Sequence, residues 1–189
     1  MNAARALPVF GAALALGVAI PAVGAPTASA GAVASAPVAR VASARPFRSS
    51  LLHSRELWAT VDVCNATDQP DTIGIRGSMP GDGSAHDTMY MDFQLQYLQG
   101  KSDWIDLSHD GSSGLISLGT AKSSRQGGSS FQLMPAKGGH GYTMRGLVTF
   151  QWRRDGKVQY ETTRATSAGH QGVADADPPG YSAAECAIA

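Results

Sequence analysis

The chain has 189 residues, a length typical of one domain. It carries 15 basic and 15 acidic residues, and the resulting zero net charge excludes the strongly basic character of a general nucleic-acid binder. Five of the basic residues precede Glu56 and all acidic residues lie at Glu56 or beyond it, so the pattern predicts a basic arm followed by an acidic domain.

The first thirty residues match a bacterial-type export signal. Arg5 supplies a short positive region, residues 9–20 form an uncharged apolar run, and Ala28-Ser29-Ala30 supplies the small residues that a signal peptidase requires. Cleavage after Ala25 is an alternative site, and an uncleaved anchor is an alternative fate. The apolar run is shorter than the roughly 20 residues of a membrane span. We therefore predict a signal peptide over residues 1–30 and a secreted, extracellular protein.

Residues 31–55 are rich in Ala, Ser, Val, Pro and Arg. Such a segment cannot bury enough apolar surface to offset the loss of chain entropy on folding. We predict a flexible linker over residues 31–55 and a folded domain over residues 56–189, with a C-terminal tail at 165–189. No stable membrane span is expected after signal cleavage, and we expect a monomer.

The folded part has the two-residue periodicity of β-strands. In the clearest strand, residues 88–99, apolar side chains from Met89 to Tyr97 alternate with polar ones from Tyr90 to Gln96. Asp155-Gly156 predicts a tight hairpin turn between the last two long strands. The predicted strands are 57–64, 72–76, 88–99, 103–107, 115–118, 130–134, 142–152, 158–164 and a short one within 183–188.

This series of short strands predicts an all-β, two-sheet sandwich. Over residues 56–164, the order and lengths of the strands resemble an immunoglobulin-like or fibronectin type III-like sandwich. The resemblance is architectural and does not extend to motifs, because the usual cysteine spacing around a central Trp is absent. It therefore assigns no functional residue.

The chain has two cysteines, Cys64 and Cys186. In an exported protein a disulfide between them is expected. It would fasten the C-terminal tail, as a strap, to the first strand and close a loop of about 120 residues. The chain-entropy model gives such a bridge on the order of 4–5 kcal/mol.

Few residues suggest a binding or metal site, and no cofactor is predicted. The candidates for binding are Tyr90, on the polar face of its strand, and the loop histidines His109 and His170. Asp175 and Asp177 have a spacing suited to two Ca²⁺ ligands, but no glycine and glutamate follow to complete a loop. Trp152 and Tyr97 fall in alternating apolar sets and are predicted to lie in the core.

No catalytic motif is present: the chain has no Gly-x-Ser-x-Gly and no zinc-protease pair of histidines. The sequence therefore favours a secreted, non-enzymatic domain that binds a protein, a glycan or a cell-envelope component. Two alternatives remain, namely a hydrolase whose site is assembled from distant loops and a protease inhibitor acting through the loop 78–85.

Overall fold

The structure, a computed structural model, describes residues 50–134 and 141–188. Their fold is all-β, and no helix in this part of the chain has the length and apolar character that a membrane crossing requires. The predicted signal peptide and nearly all of the predicted linker lie outside the described residues. The strands are β1 (Trp58–Ala66), β2 (Gln69–Met79), β3 (Asp87–Gln99), β4 (Asp103–Asp106), β5 (Ser112–Thr120), β6 (Arg125–Gln132), β7 (Tyr142–Arg154), β8 (Lys157–Ala165) and β9 (Cys186–Ile188).

The strands form two antiparallel sheets, as the sequence predicts. Sheet A has three strands in the order β1-β2-β6. Sheet B contains six strands but is four strands wide. Strands β4 and β5 pair with different parts of one edge of β3, and β8 and β9 pair with different parts of one edge of β7. The long strands β3 and β7 pair over eleven residues and form the centre of sheet B.

The core lies between the two sheets. Met89, Met91, Phe93 and Leu95 of β3 are fully buried, which confirms the inward face that the alternation predicts. Trp152 of β7 is also fully buried. Its indole N–H donates to the Pro80 carbonyl at 3.0 Å, so burial leaves no unpaired donor.

The β7–β8 hairpin turns where the sequence predicts. Asp155 and Gly156 both have positive φ, at 49° and 75°. This backbone matches the right-handed twist of the flanking strands, and Gly adopts it without steric cost.

A bulge in β1 changes which side chains face the core. Val61 pairs with Ile75 but Val63 pairs with Gly74, so the register shifts between them and the alternation reverses. Cys64, which simple alternation places opposite Val61, therefore pairs with Ile73 and turns inward. The bulge brings Cys64 within reach of the other sheet.

The predicted disulfide is present. Cys64 of sheet A and Cys186 of sheet B are bonded, with their Cα atoms 5.5 Å apart and a sequence separation of 122 positions. Ile188, two residues beyond Cys186, is buried in the core. The bridge thus joins the two sheets and fixes the end of the described chain.

Residues 166–185, which we call the strap, cross the outside of sheet A. The Gln126 side chain of β6 binds the strap backbone at Gly172 and Ala174, each at 3.0 Å. The returning part of the strap pairs with β1, where Val61 and Ala183 exchange both backbone hydrogen bonds. The strap therefore covers the outer face of sheet A and the free edge of β1.

Several strands extend beyond their predicted bounds. Strand β2 is eleven residues long where five were predicted, and β6 begins at Arg125 where Ser130 was predicted. The added residues include Gly127, Gly128 and Ser129, which have no apolar alternation and pair through backbone hydrogen bonds with β2. Leu51, inside the predicted linker, packs into the core.

Candidate functional site

The outer face of sheet B is not covered by the strap. Because the even-numbered residues of β7 face the core, the odd-numbered ones from Arg145 to Arg153 face outward, and on β3 the even-numbered residues do so. Leu115 and Val158 add exposed apolar side chains at 46% exposure each. We call this surface the outer face.

One end of the outer face holds a group of four side chains, the Trp104 unit. The Arg145 guanidinium lies over the Trp104 ring, 4.2 Å from its centroid. The Arg145 Nε donates to the Gln96 side-chain oxygen at 2.8 Å. The Gln96 amide nitrogen in turn donates to Asp106 Oδ1 at 2.8 Å. Each member of the unit orients the next.

The other end of the outer face holds a second group, which we call the Tyr90 unit. Like the Trp104 unit, it contains an aromatic ring, a guanidinium, an amide and a carboxylate. The Arg153 guanidinium lies 5.0 Å from the centroid of the Tyr90 ring. The Arg153 Nε donates to the Gln151 side-chain oxygen at 2.8 Å, and the Gln151 amide nitrogen donates to Glu161. Tyr90, the aromatic binding candidate from the sequence, thus lies in one of two related groups.

Both arginines are held in place without a salt bridge. Among the described residues, the carboxylates that form salt bridges are Asp62, Asp87 and Asp175, and their partners are Arg76 and Arg154. The carboxylates of the two units are reached only through the glutamine amides. Burial lowers the pKa of Arg145, and the charge of Glu185 opposes this effect.

The two glutamines show how closely the units are packed. Gln96 and Gln151 are 8% and 9% exposed although both face away from the core. Each glutamine is hydrogen-bonded between an arginine and a carboxylate of its unit. Guanidinium–ring contacts of this kind contribute about 0.5–1 kcal/mol at exposed sites, so together with the hydrogen bonds they favour the arrangement of each unit.

His170 lies in the strap, on the other side of the molecule. Its ring stacks on Trp58 with centroids 4.7 Å apart and planes 12° apart, and Ser167 Oγ lies 2.9 Å from its Nε2. Burial lowers the pKa of His170. No carboxylate among the described residues hydrogen-bonds to the ring, so the Ser167–His170 pair lacks the third group that orients a catalytic histidine.

Asp175 and Asp177 also lie in the strap, and each contacts sheet A. Asp175 is 3.3 Å from Arg76, which also binds the buried Asp62, and Asp177 accepts a hydrogen bond from Gln69. In residues 50–134 and 141–188, no three His, Cys, Asp or Glu side chains are grouped so that they could hold a metal ion. Both aspartates therefore fasten the strap to sheet A.

Two recesses of about 530 Å³ each are present in the described structure. One lies beside the strap and includes Trp58, Glu56 and Arg125. The other lies at one end of the sandwich and includes His109, Tyr97 and Tyr142. His109 is thus separated from both His170 and Tyr90, and the structure does not bring the three binding candidates together.

The loop that follows β2 is held against the domain. Its Pro80 carbonyl accepts the Trp152 indole N–H, and the Gly83 N–H donates to the Ala121 carbonyl at 3.1 Å. Two hydrogen bonds therefore tie the first part of this loop to the domain.

Sequence reasoning missed most of the two units. Trp104 falls within the strand predicted over residues 103–107, but the sequence did not single out Arg145, Arg153 or the two glutamines. The available signal is that Arg145 and Arg153 occupy polar positions eight residues apart on one long amphipathic strand.

The chain matches no protein-family model and no curated protein.

Proposed function

We propose that this protein is an exported, non-enzymatic β-sandwich domain that binds a glycan through the outer face of sheet B. The observation that carries the proposal is the pair of prearranged Trp104 and Tyr90 units on that face. Each unit combines an aromatic ring with a guanidinium, an amide and a carboxylate. Rings contact the apolar faces of sugars, while the three polar groups match sugar hydroxyls as donors and acceptors.

The layering of the molecule supports the choice of face. The strap covers sheet A, whereas no described element crosses the outer face of sheet B. An open face of an antiparallel sheet presents side chains from several neighbouring strands to one extended partner. An extended partner that runs along β3 and β7, as a polysaccharide can, contacts both units at once.

Export is proposed on two grounds. Residues 1–30 have the composition of a secretory signal. The Cys64–Cys186 disulfide is typical of an oxidising compartment. An immunoglobulin-like or fibronectin type III-like arrangement is likewise a proposal, supported by the pairing of the first, second and sixth strands in one sheet.

Affinity electrophoresis in gels that contain soluble polysaccharides, together with pull-down on insoluble cell-wall polysaccharides, tests the function. We expect retardation or retention of the oxidised protein by at least one glycan. Tyr90→Ala and Trp104→Ala should each weaken it about tenfold, in line with the 1–3 kcal/mol that an aromatic binding contact contributes. Tyr142→Ala is the matched control, because Tyr142 is exposed and belongs to the even-numbered residues of β7, which face away from the outer face.

Retention by no glycan in the panel would contradict the proposal. Equal binding by the Tyr90→Ala, Trp104→Ala and Tyr142→Ala proteins would show that the glycan does not bind at the outer face.

A further inference from the structure

The chemistry of the two units specifies the kind of glycan. We infer that the ligand is a linear acidic polysaccharide whose carboxylate groups bind Arg145 and Arg153; this inference rests on the proposed function. The arginines indicate the chemical class of the glycan, which the aromatic side chains alone do not indicate.

The environment of the two arginines is the first feature that favours an acidic ligand. Each guanidinium is fixed over a ring and through its Nε, and no carboxylate among the described residues forms a salt bridge with it. The remaining N–H groups of such an arginine form a planar fork that matches the two oxygens of a carboxylate. A cation that is partly buried and unpaired gains more from an anionic ligand than a freely solvated one does.

The carboxylates on the same face are the second argument. Asp106 and Glu161 lie behind the glutamine amides, and Asp92 faces outward between the two units. These groups repel any anionic ligand, and hydrogen bonds from sugar hydroxyls to them would offset that repulsion only for a ligand that carries hydroxyls. The combination of fixed arginines and acceptor carboxylates therefore favours an acidic sugar over a simple polyanion.

The spacing of the arginines is the third argument. Arg145 and Arg153 are eight residues apart on β7, which corresponds to about 27 Å along an antiparallel strand. A single sugar reaches one unit, whereas a chain of several sugars reaches both. Joining two weak contacts on one polymer raises the overall affinity by about 10²–10⁴-fold, so binding should depend steeply on chain length.

Isothermal titration with a matched pair of polymers tests the inference. The probes are polygalacturonate and the same polymer with its carboxylates methyl-esterified, which keeps the backbone and removes the charge. We expect binding of polygalacturonate at least tenfold tighter than binding of the ester, and tighter for long chains than for the dimer.

Variants locate the effect. Arg145→Ala and Arg153→Ala should each weaken polygalacturonate binding about tenfold, the order expected for one charge-assisted contact. Arg145→Lys keeps the charge but loses the fork, so it should bind less tightly than the wild type. Arg125→Ala, which removes an equal charge from sheet A, should bind as the wild type does. Circular dichroism of each variant checks that the fold is retained.

The outcomes separate the inference from the proposed function. Equal binding of the acid and the ester, with no effect of the arginine variants, would overturn the inference and leave glycan binding intact. Equal binding of polyglutamate and polygalacturonate would overturn both, because the site would then select charge alone. Absence of binding to acidic polymers, with neutral glycans bound, would overturn only the inference.

Discussion

At the scale of single residues, the most strongly perturbed surface group is Asp82, in the loop after β2. Its carboxyl accepts a hydrogen bond from the Ser84 N–H at 2.8 Å and lies beside Asp87, which is paired with Arg154. Burial, together with the hydrogen bond to Asp87, raises the pKa of Asp82 from 3.8 to about 6. Arg154 holds the pKa of Asp87 below its usual value, so Asp87 carries the charge of the pair.

The sign of the resulting pH dependence follows from proton uptake. Because the folded state holds a proton on Asp82 that the unfolded chain has lost, the unfolding free energy falls as the pH rises from about 4 to about 6. Asp82→Asn removes this effect and keeps both hydrogen bonds. We expect the variant to be about 1 kcal/mol more stable at pH 7, a modest gain because solvent screens a partly exposed carboxylate.

Urea denaturation of the wild type and Asp82→Asn at pH 7 and pH 3.5 measures this effect. The difference should become small at the lower pH, which lies below the pKa of Asp82 in both states. Asp68→Asn, at an exposed position in the β1–β2 turn, serves as the control and should change stability at neither pH. A destabilised Asp82→Asn protein at pH 7 would contradict the assignment.

At the scale of elements, the strap depends on both polar contacts and one covalent bond. Thr60 Oγ1 lies 2.8 Å from Ser182 Oγ, and the Ser167 N–H donates to the Ala59 carbonyl at 2.8 Å. These contacts are individually worth about 1 kcal/mol. The disulfide closes a loop of 122 residues and is therefore the larger constraint on the unfolded chain.

Removing the disulfide should lower the stability strongly. We expect the double variant Cys64→Ala/Cys186→Ala to lose on the order of 4 kcal/mol of unfolding free energy, since its unfolded chain regains the entropy of the open loop. Urea denaturation with reduced wild-type protein as the comparison measures the loss. A loss below about 1 kcal/mol would show that the strap contacts and Ile188 hold the C-terminus without the bridge.

The elements also show which parts of the fold are predictable from sequence. Strands β3 and β7 are predictable because their apolar residues alternate without interruption, and the Asp155-Gly156 turn is predictable because its backbone requires those residue types. The length of β6 is not predictable, since Gly127 to Ser130 carry no apolar pattern and are fixed by pairing with β2. The reversal at the β1 bulge is likewise set by tertiary pairing and not by the local sequence.

The candidate site is less predictable than the fold. Tyr90 could be placed on a polar strand face because the period of a strand is two residues. Its partner Arg153 is 63 positions away and meets it only through the β3–β7 register. Trp104 and Arg145 meet across β4, β3 and β7 for the same reason. Sequence patterns predict which face of a strand a side chain lies on, but they do not predict its neighbour on the adjacent strand.

At the scale of the whole molecule, the two sheets have different outer surfaces. Sheet A is covered by the strap, and its charged residue Asp62 is 3% exposed and paired with Arg76. On sheet B, Arg145 and Arg153 form no salt bridge with any described residue, and no described element crosses the surface on which they lie. We propose that this asymmetry separates a structural side of the molecule from a binding side.

Backbone and indole ¹H–¹⁵N chemical-shift mapping of the oxidised protein during titration with polygalacturonate oligomers tests this claim most directly. We expect shift changes that are concentrated on β3, β4 and β7, including the Trp104 indole and the amides of Tyr90, Arg145 and Arg153, with the strap unaffected. Changes confined to the strap around His170, or to the recess around His109, with an unperturbed outer face, would contradict it.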